Sequence, residues 1–198
     1  RHRTIGAVLE STWALLTPAE QRALRALAVL PGNFQVETAE AVAGEGGPRL
    51  ATLTTLAGLV NKGLLRREAG GYSAHAFVRQ DALERLRATG EERDAYGRLL
   101  AYVRGLVERA EAHLRTAEET AWLDRLEAEH GSIGAALEWA LESGEAEGAA
   151  RLCAVLRWLW YIRGYIGEGR RWMERAILLA RGRVEPGLLA RLLQGAGV

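Results

Sequence analysis

Apolar residues recur at intervals of three and four along most of the chain, which places them on one face of a helix, and Gly- or Pro-marked turns interrupt the pattern repeatedly. Ile5, Val8, Leu9 and Trp13 predict a helix over Thr4–Leu16. Thr17-Pro18-Ala19-Glu20 is a start signal: Thr17 can cap, Pro18 suits the first helical position, and Glu20 can close a capping box. The helix it opens turns Leu24, Leu27 and Ala28 inward and ends at Pro31-Gly32, after which Phe34 begins a short link. Val36–Ala43 reads as a brief helix stopped by Gly44, Gly46 and Gly47. Counted from the helix that Thr17 opens, Pro48 begins the third, through Leu50, Leu53, Leu56, Leu59 and Val60, ending near Lys62-Gly63.

Leu64–Glu68 and Tyr72–His75 flank Gly70-Gly71 and predict a hairpin. Three helices followed by a hairpin is the order of a winged helix. Phe77–Ala88 returns to helical spacing through Phe77, Val78, Ala82, Leu83 and Leu86, and Thr89-Gly90 is the best domain boundary. Beyond it every segment is helical: Glu91–Arg115, Glu118–Glu129, Ser132–Glu142, Ala146–Arg163, Ile166–Arg181 and Pro186 onward. Short turns between helices of similar length imply antiparallel neighbours. The predicted fold is therefore mostly α, with a winged-helix domain over 1–90 and, over 91–198, a helical arm and the start of an antiparallel helical-repeat array resembling tetratricopeptide repeats. With Gly164 set at the turn of one such unit, Leu156 and Trp160 take the large positions, Gly169 and Ala176 the small ones, and Met173 lies between. Arg157 stands where a small residue is usual, and Gly195-Ala196-Gly197 looks like the opening of a further unit.

Charge narrows the partners. Lys+Arg number 26 against 25 Asp+Glu, a balance that gives no support for whole-molecule attachment to nucleic acid or membrane. No apolar run reaches membrane-spanning length, no signal-peptide pattern stands at the N-terminus, and with a single cysteine the cytoplasm is the default expectation. The chain opens at Arg1 without Met and closes within helical spacing at Gln194–Val198, so a longer parent polypeptide is expected. Cys153, the lone cysteine, lies in an apolar stretch and reads as a buried structural thiol.

Candidate chemistry is sparse. The phosphate-loop pattern is absent, as is a strand-turn-helix dinucleotide motif, and no Ser/His/Asp set is recognisable. His2, His75, His113 and His130 are dispersed without zinc spacing. His113 and His130 are expected on solvated helix surfaces, and Glu91-Glu92 and Glu118-Glu119 are read as helix starts. No catalytic residue, metal site or resident cofactor is expected in the chain, which should hydrolyse nothing by itself. Trp158 and Trp160 cannot share a helix face. One of them therefore suits a concave groove or a contact with another part of the parent chain, and Trp160, Arg163, Arg170 and Arg171 form a candidate site for a peptide or acidic ligand, although an exposed salt-bridged helix face is the favoured reading of these arginines. DNA binding through the third helix would use Arg49, Lys62, Arg66 and Arg67, with Thr52, Thr55 and Asn61 exposed. That basic count is thin for phosphate contacts, which makes DNA contact the weakest reading.

Several segments together resemble a family. Arg1-His-Arg-Thr followed by Trp13-Ala-Leu-Leu-Thr-Pro-Ala-Glu-Gln is similar to the opening of the winged-helix domain in bacterial STAND signal-transduction ATPases, a class that includes LuxR-type and AfsR-type transcriptional regulators. Leu30-Pro-Gly-Asn-Phe, Leu59-Val-Asn-Lys-Gly-Leu-Leu, Trp122-Leu-Asp-Arg-Leu-Glu-Ala-Glu-His and Gly164-Tyr-Ile-Gly-Glu-Gly-Arg-Arg-Trp-Met-Glu-Arg-Ala fit the same pattern, so the resemblance covers essentially the whole chain. It implies a nucleotide-binding domain before Arg1, further repeats after the C-terminus, and an inducer, small molecule or protein, sensed by those repeats. It implies ADP or ATP in the full-length protein and no membrane partner. In related NB-ARC proteins a Met-His-Asp motif ends the winged helix and its His contacts ADP. The matching stretch here is Ala74-His75-Ala76, which keeps the His and departs from the Met and the Asp. His75 is thereby the candidate nucleotide contact, and the winged helix a clamp on ADP in an autoinhibited state. A plain helical scaffold that binds a peptide or protein is the alternative.

Overall fold

The computed structural model describes residues 9–44, 46–68 and 70–197. Ile5 and Val8 of the first predicted helix lie outside them. Residues 9–14 are helical, and the helix gives way to a turn at Leu15, which is exposed, and Leu16, which is buried.

Helix α1 (Pro18–Leu27) begins as its sequence dictates. The Thr17 hydroxyl accepts from the Glu20 amide at 3.2 Å, and Glu20 accepts from the Thr17 amide at 2.7 Å. The helix buries Ala23, Leu24, Ala26 and Leu27, and buried Ala28, Val29 and Leu30 continue the core beyond its end. Strand β1 (Asn33–Phe34) follows, then α2 (Val36–Ala43), α3 (Arg49–Asn61), the hairpin β2 (Leu65–Glu68) and β3 (Gly71–Ala74), and α4 (Ala76–Ala88). Helix α1 packs on α2, α3 and α4. The sheet is antiparallel in the order β1-β3-β2, with Phe34 opposite Tyr72 and Leu65 opposite Ala74. This is the winged-helix arrangement. It contains one strand more than the predicted hairpin, because β1 is two residues long and carries no period of its own. Its anchor is Phe34, 1% exposed and stacked on Tyr72 with ring centroids 6.4 Å apart.

Three residues take faces other than those expected. Helix α3 is buried through Thr52, Leu56 and Leu59, which rotates Leu50 into solvent and Thr52 into the core. Phe77, in the first turn of α4, is half exposed and stacks on His75 instead of entering the core.

Two compact units divide between Leu99 and Leu100, within α5 (Glu92–Glu111). The second contains α6 (Glu119–Ala128), α7 (His130–Glu142), α8 (Ala146–Ile162), α9 (Ile166–Ala180) and α10 (Pro186–Ala196). Successive helices from α6 to α10 pack against one another, and α8 also packs against α6 and α10. The turns after α7 and α8 reverse the chain at Gly144 and Gly164, both with positive φ. The result is an antiparallel helical-repeat array. Its tightest contact lies between α8 and α9, where a Cβ built on Gly169 would fall 2.7 Å from the Trp160 ring, so only glycine lets the indole reach the α9 backbone. Leu156, Met173 and Ala176 are buried beside this contact. Gly195 and Ala196 close α10, and Gly197 caps it in the left-handed region.

Cys153 is fully buried, and that burial pushes its thiol up to about 12, so it stays protonated and unreactive at neutral pH. Among the described residues no helix is long and apolar enough to cross a membrane.

Candidate functional site

His75 sits where the hairpin hands the chain to α4. Its backbone is extended (φ −61°, ψ 142°) and it serves as the helix cap. Nδ1 accepts from the Phe77 amide in a long bond of 3.4 Å, and the two rings stack with centroids 5.5 Å apart. A neutral imidazole that accepts through Nδ1 carries its proton on Nε2. The side chain is exposed, so a donor N–H is offered at the rim of the wing next to a half-exposed phenyl ring. One turn further on, Arg79 is committed to the fold, with its Nε donating to the Leu30 carbonyl at 3.1 Å.

The four residues of the candidate groove have different settings. Trp160 is 3% exposed, its ring closed against Gly169. Arg163 pairs with Asp124 and Glu127 of α6, and Arg170 pairs with Glu174 one turn along its own helix. Arg171 is exposed with no ion-pair partner among the described residues. A cleft of about 260 Å³ opens beside Trp160 and Arg170, lined also by Tyr161, Ile166 and Met173; Arg163 and Arg171 are not part of its wall.

The basic residues of α3 and the wing are partly neutralised within the unit. Arg49 donates to Glu37 at 2.9 Å and to Glu40 at 3.1 Å, and Lys62 pairs with Glu20. Arg66 and Arg67 on β2 are exposed. Among the described residues Arg66 and Arg67 have no ion-pair partner, and Thr52 is buried; phosphate contacts ordinarily use several uncompensated cations on one face.

His113 and His130 are less solvated than expected. His113 lies 2.8 Å from Glu118 and stacks on Trp122, while His130 lies 3.2 Å from Glu168 and against Tyr165. Among the described residues no three His, Cys, Asp or Glu side chains are gathered to hold a metal. Two carboxylates, Glu129 and the expected helix-start residue Glu119, make long-range contacts. Glu129, 2% exposed, accepts from the Tyr102 hydroxyl at 3.1 Å. One oxygen of Glu119 accepts from both the Trp158 indole (2.8 Å) and the Arg115 amide (2.6 Å). Tyr102 is far in sequence from Glu129, and Trp158 from Glu119, so nothing in the sequence pattern could signal these two contacts.

The chain is similar to proteins named "Putative HTH-type transcriptional regulator" in Mycobacterium bovis and Mycobacterium tuberculosis, 31% identical over 182 residues, which is 88% of this chain and 20% of each relative. The chain thus spans about a fifth of the length of the curated relatives it matches. No family model matches the chain, and no solved structure matches it significantly.

Proposed function

We propose that the chain is the regulatory middle of a STAND-class signal-transduction ATPase that acts in the cytoplasm as a transcriptional regulator. The observation that carries this reading is the similarity to named regulators across nearly the whole chain, in a protein that sets a winged helix before a helical array. The winged helix is the ADP clamp, with His75 Nε2–H donating to a phosphate oxygen. The helical array, of tetratricopeptide type, links that clamp to repeats that sense an inducer. Coupling between the two needs contacts that differ between the resting and induced states. The chain contributes at most one contact to the nucleotide and does no hydrolysis; the phosphate loop belongs to the preceding domain.

The geometry favours this over direct DNA contact, since Arg49 and Lys62 are spent on internal ion pairs. The exposed Tyr161 and Ile166 beside the α8–α9 cleft favour the scaffold reading as the second choice. Calorimetry of ADP binding by the polypeptide that carries the nucleotide domain separates the two. His75→Ala is expected to weaken ADP about tenfold, the size of one lost hydrogen bond to a charged group. The His75 side chain is exposed, so the variant should melt within a few degrees of the parent. Equal ADP affinity in the folded variant would remove His75 from the nucleotide and leave the scaffold reading standing.

A further inference from the structure

We propose that the cleft between the end of α5, α8 and α10 is a binding site for a small, multiply charged anion bearing carboxylate or phosphate groups. The cleft has a volume of about 290 Å³, and its wall holds three arginines, Arg115, Arg157 and Arg191, against one carboxylate, Glu111. Glu111 is taken by Arg191 at 2.6 Å. Arg115 and Arg157 have no ion-pair partner among the described residues. Three arginines from three separate segments of the chain line the one cleft, two of them without an ion-pair partner among the described residues, which is the charge arrangement expected of an anion site and not of a salt-bridged helix face.

The donors are also held in place. The Arg115 guanidinium lies over the Trp158 ring at 4.5 Å, so its face is occupied while its in-plane N–H groups remain available at the edge. Arg115 is the only non-glycine residue with positive φ among the described residues (70°), a conformation that costs about 1 kcal/mol and persists only where its surroundings demand it. Glu119 supplies that demand: the same carboxylate oxygen takes the Arg115 amide and the Trp158 indole, which ties the strained turn to the ring the guanidinium rests on. Arg157 is fixed as well, since its Nε donates to the Ala154 carbonyl at 3.1 Å, leaving its terminal nitrogens for a ligand. Leu114 and Val155 add apolar wall, which suits a short carbon skeleton between the charged groups. This site does not depend on the nucleotide reading of His75.

Calorimetry on the 198-residue chain with citrate and with pyrophosphate as probes tests it. At least one probe is expected to bind with a sub-millimolar Kd, and the tighter of the two identifies the group the site prefers. Arg115→Gln/Arg157→Gln should weaken that probe at least about tenfold. Arg181→Gln/Arg183→Gln, which removes the same charge elsewhere on the surface of this unit, should leave it within about twofold. No heat with either probe up to ~10 mM, equal affinity in the cleft variant, or an equal loss in the charge-matched variant would each overturn the assignment.

Discussion

Trp160→Ala is expected to destabilise the helical unit by about 3–5 kcal/mol, the range for removing a large buried aromatic side chain. The indole is 3% exposed and fills the space that the missing side chain of Gly169 leaves on α9. Truncation therefore opens a cavity that cannot collapse, because α8 and α9 are held by their short Gly164 turn and by Met173 and Ala176 around the gap. The reciprocal change, Gly169→Ala, puts a Cβ where ring atoms already lie 2.7 Å away and should cost about 1–3 kcal/mol through displacement of the helices. Chemical denaturation monitored by far-ultraviolet circular dichroism reads both. A loss under 1 kcal/mol for Trp160→Ala would mean that the α8–α9 contact does not hold the array together.

Glu20→Ala should cost the winged-helix unit about 2–4 kcal/mol, since it removes a helix cap and a charged hydrogen bond together. The carboxylate is 8% exposed and meets the Thr17 amide and Lys62 of the loop after α3. It also lies against Gly58, where a Cβ would approach Oε1 to 2.3 Å, so α3 carries a glycine in its interior to admit the carboxylate. Burial alone would raise the Glu20 pKa; the hydrogen bonds from Lys62 and Thr17 and the Lys62 charge together outweigh it and hold it below the ordinary carboxylate range. A pKa lowered by folding means that the stabilisation is fully present above the unfolded value and is lost as pH falls through the folded one. The acid limb of the stability curve below about pH 4.5 should therefore be shallower in Glu20→Gln than in the parent. Parallel acid limbs in the two proteins would contradict the coupling.

Much of this architecture was legible because it rests on local rules. The Thr17-Pro18-Glu20 box, the arrest of α2 at Gly44, the Gly70-Gly71 hairpin and the Gly164 reversal all follow from residues within a few positions of one another. What escaped were features whose cause is distant in sequence. Strand β1 exists because Tyr72 lies opposite Phe34, and Thr52 is buried because α3 meets α1 along that face. Pairing of the cations was equally invisible: Arg49 and Lys62 read as charge available to phosphate in the sequence, yet each finds a carboxylate on another element. The same limit hid Arg115, which a helical spacing placed on α5 and the structure places in a left-handed turn beyond it. His75 was legible only through resemblance, since one histidine between a strand and a helix has no pattern of its own.

The proposed switch depends on the winged helix touching nucleotide at the β3–α4 junction. Hydrogen–deuterium exchange on the polypeptide that carries the nucleotide domain, with and without saturating ADP, tests it most directly. Amides across residues 71–80, which span β3, His75 and the first turn of α4, are expected to exchange about tenfold more slowly with ADP bound. Unchanged exchange across that segment while ADP is demonstrably bound elsewhere would contradict it.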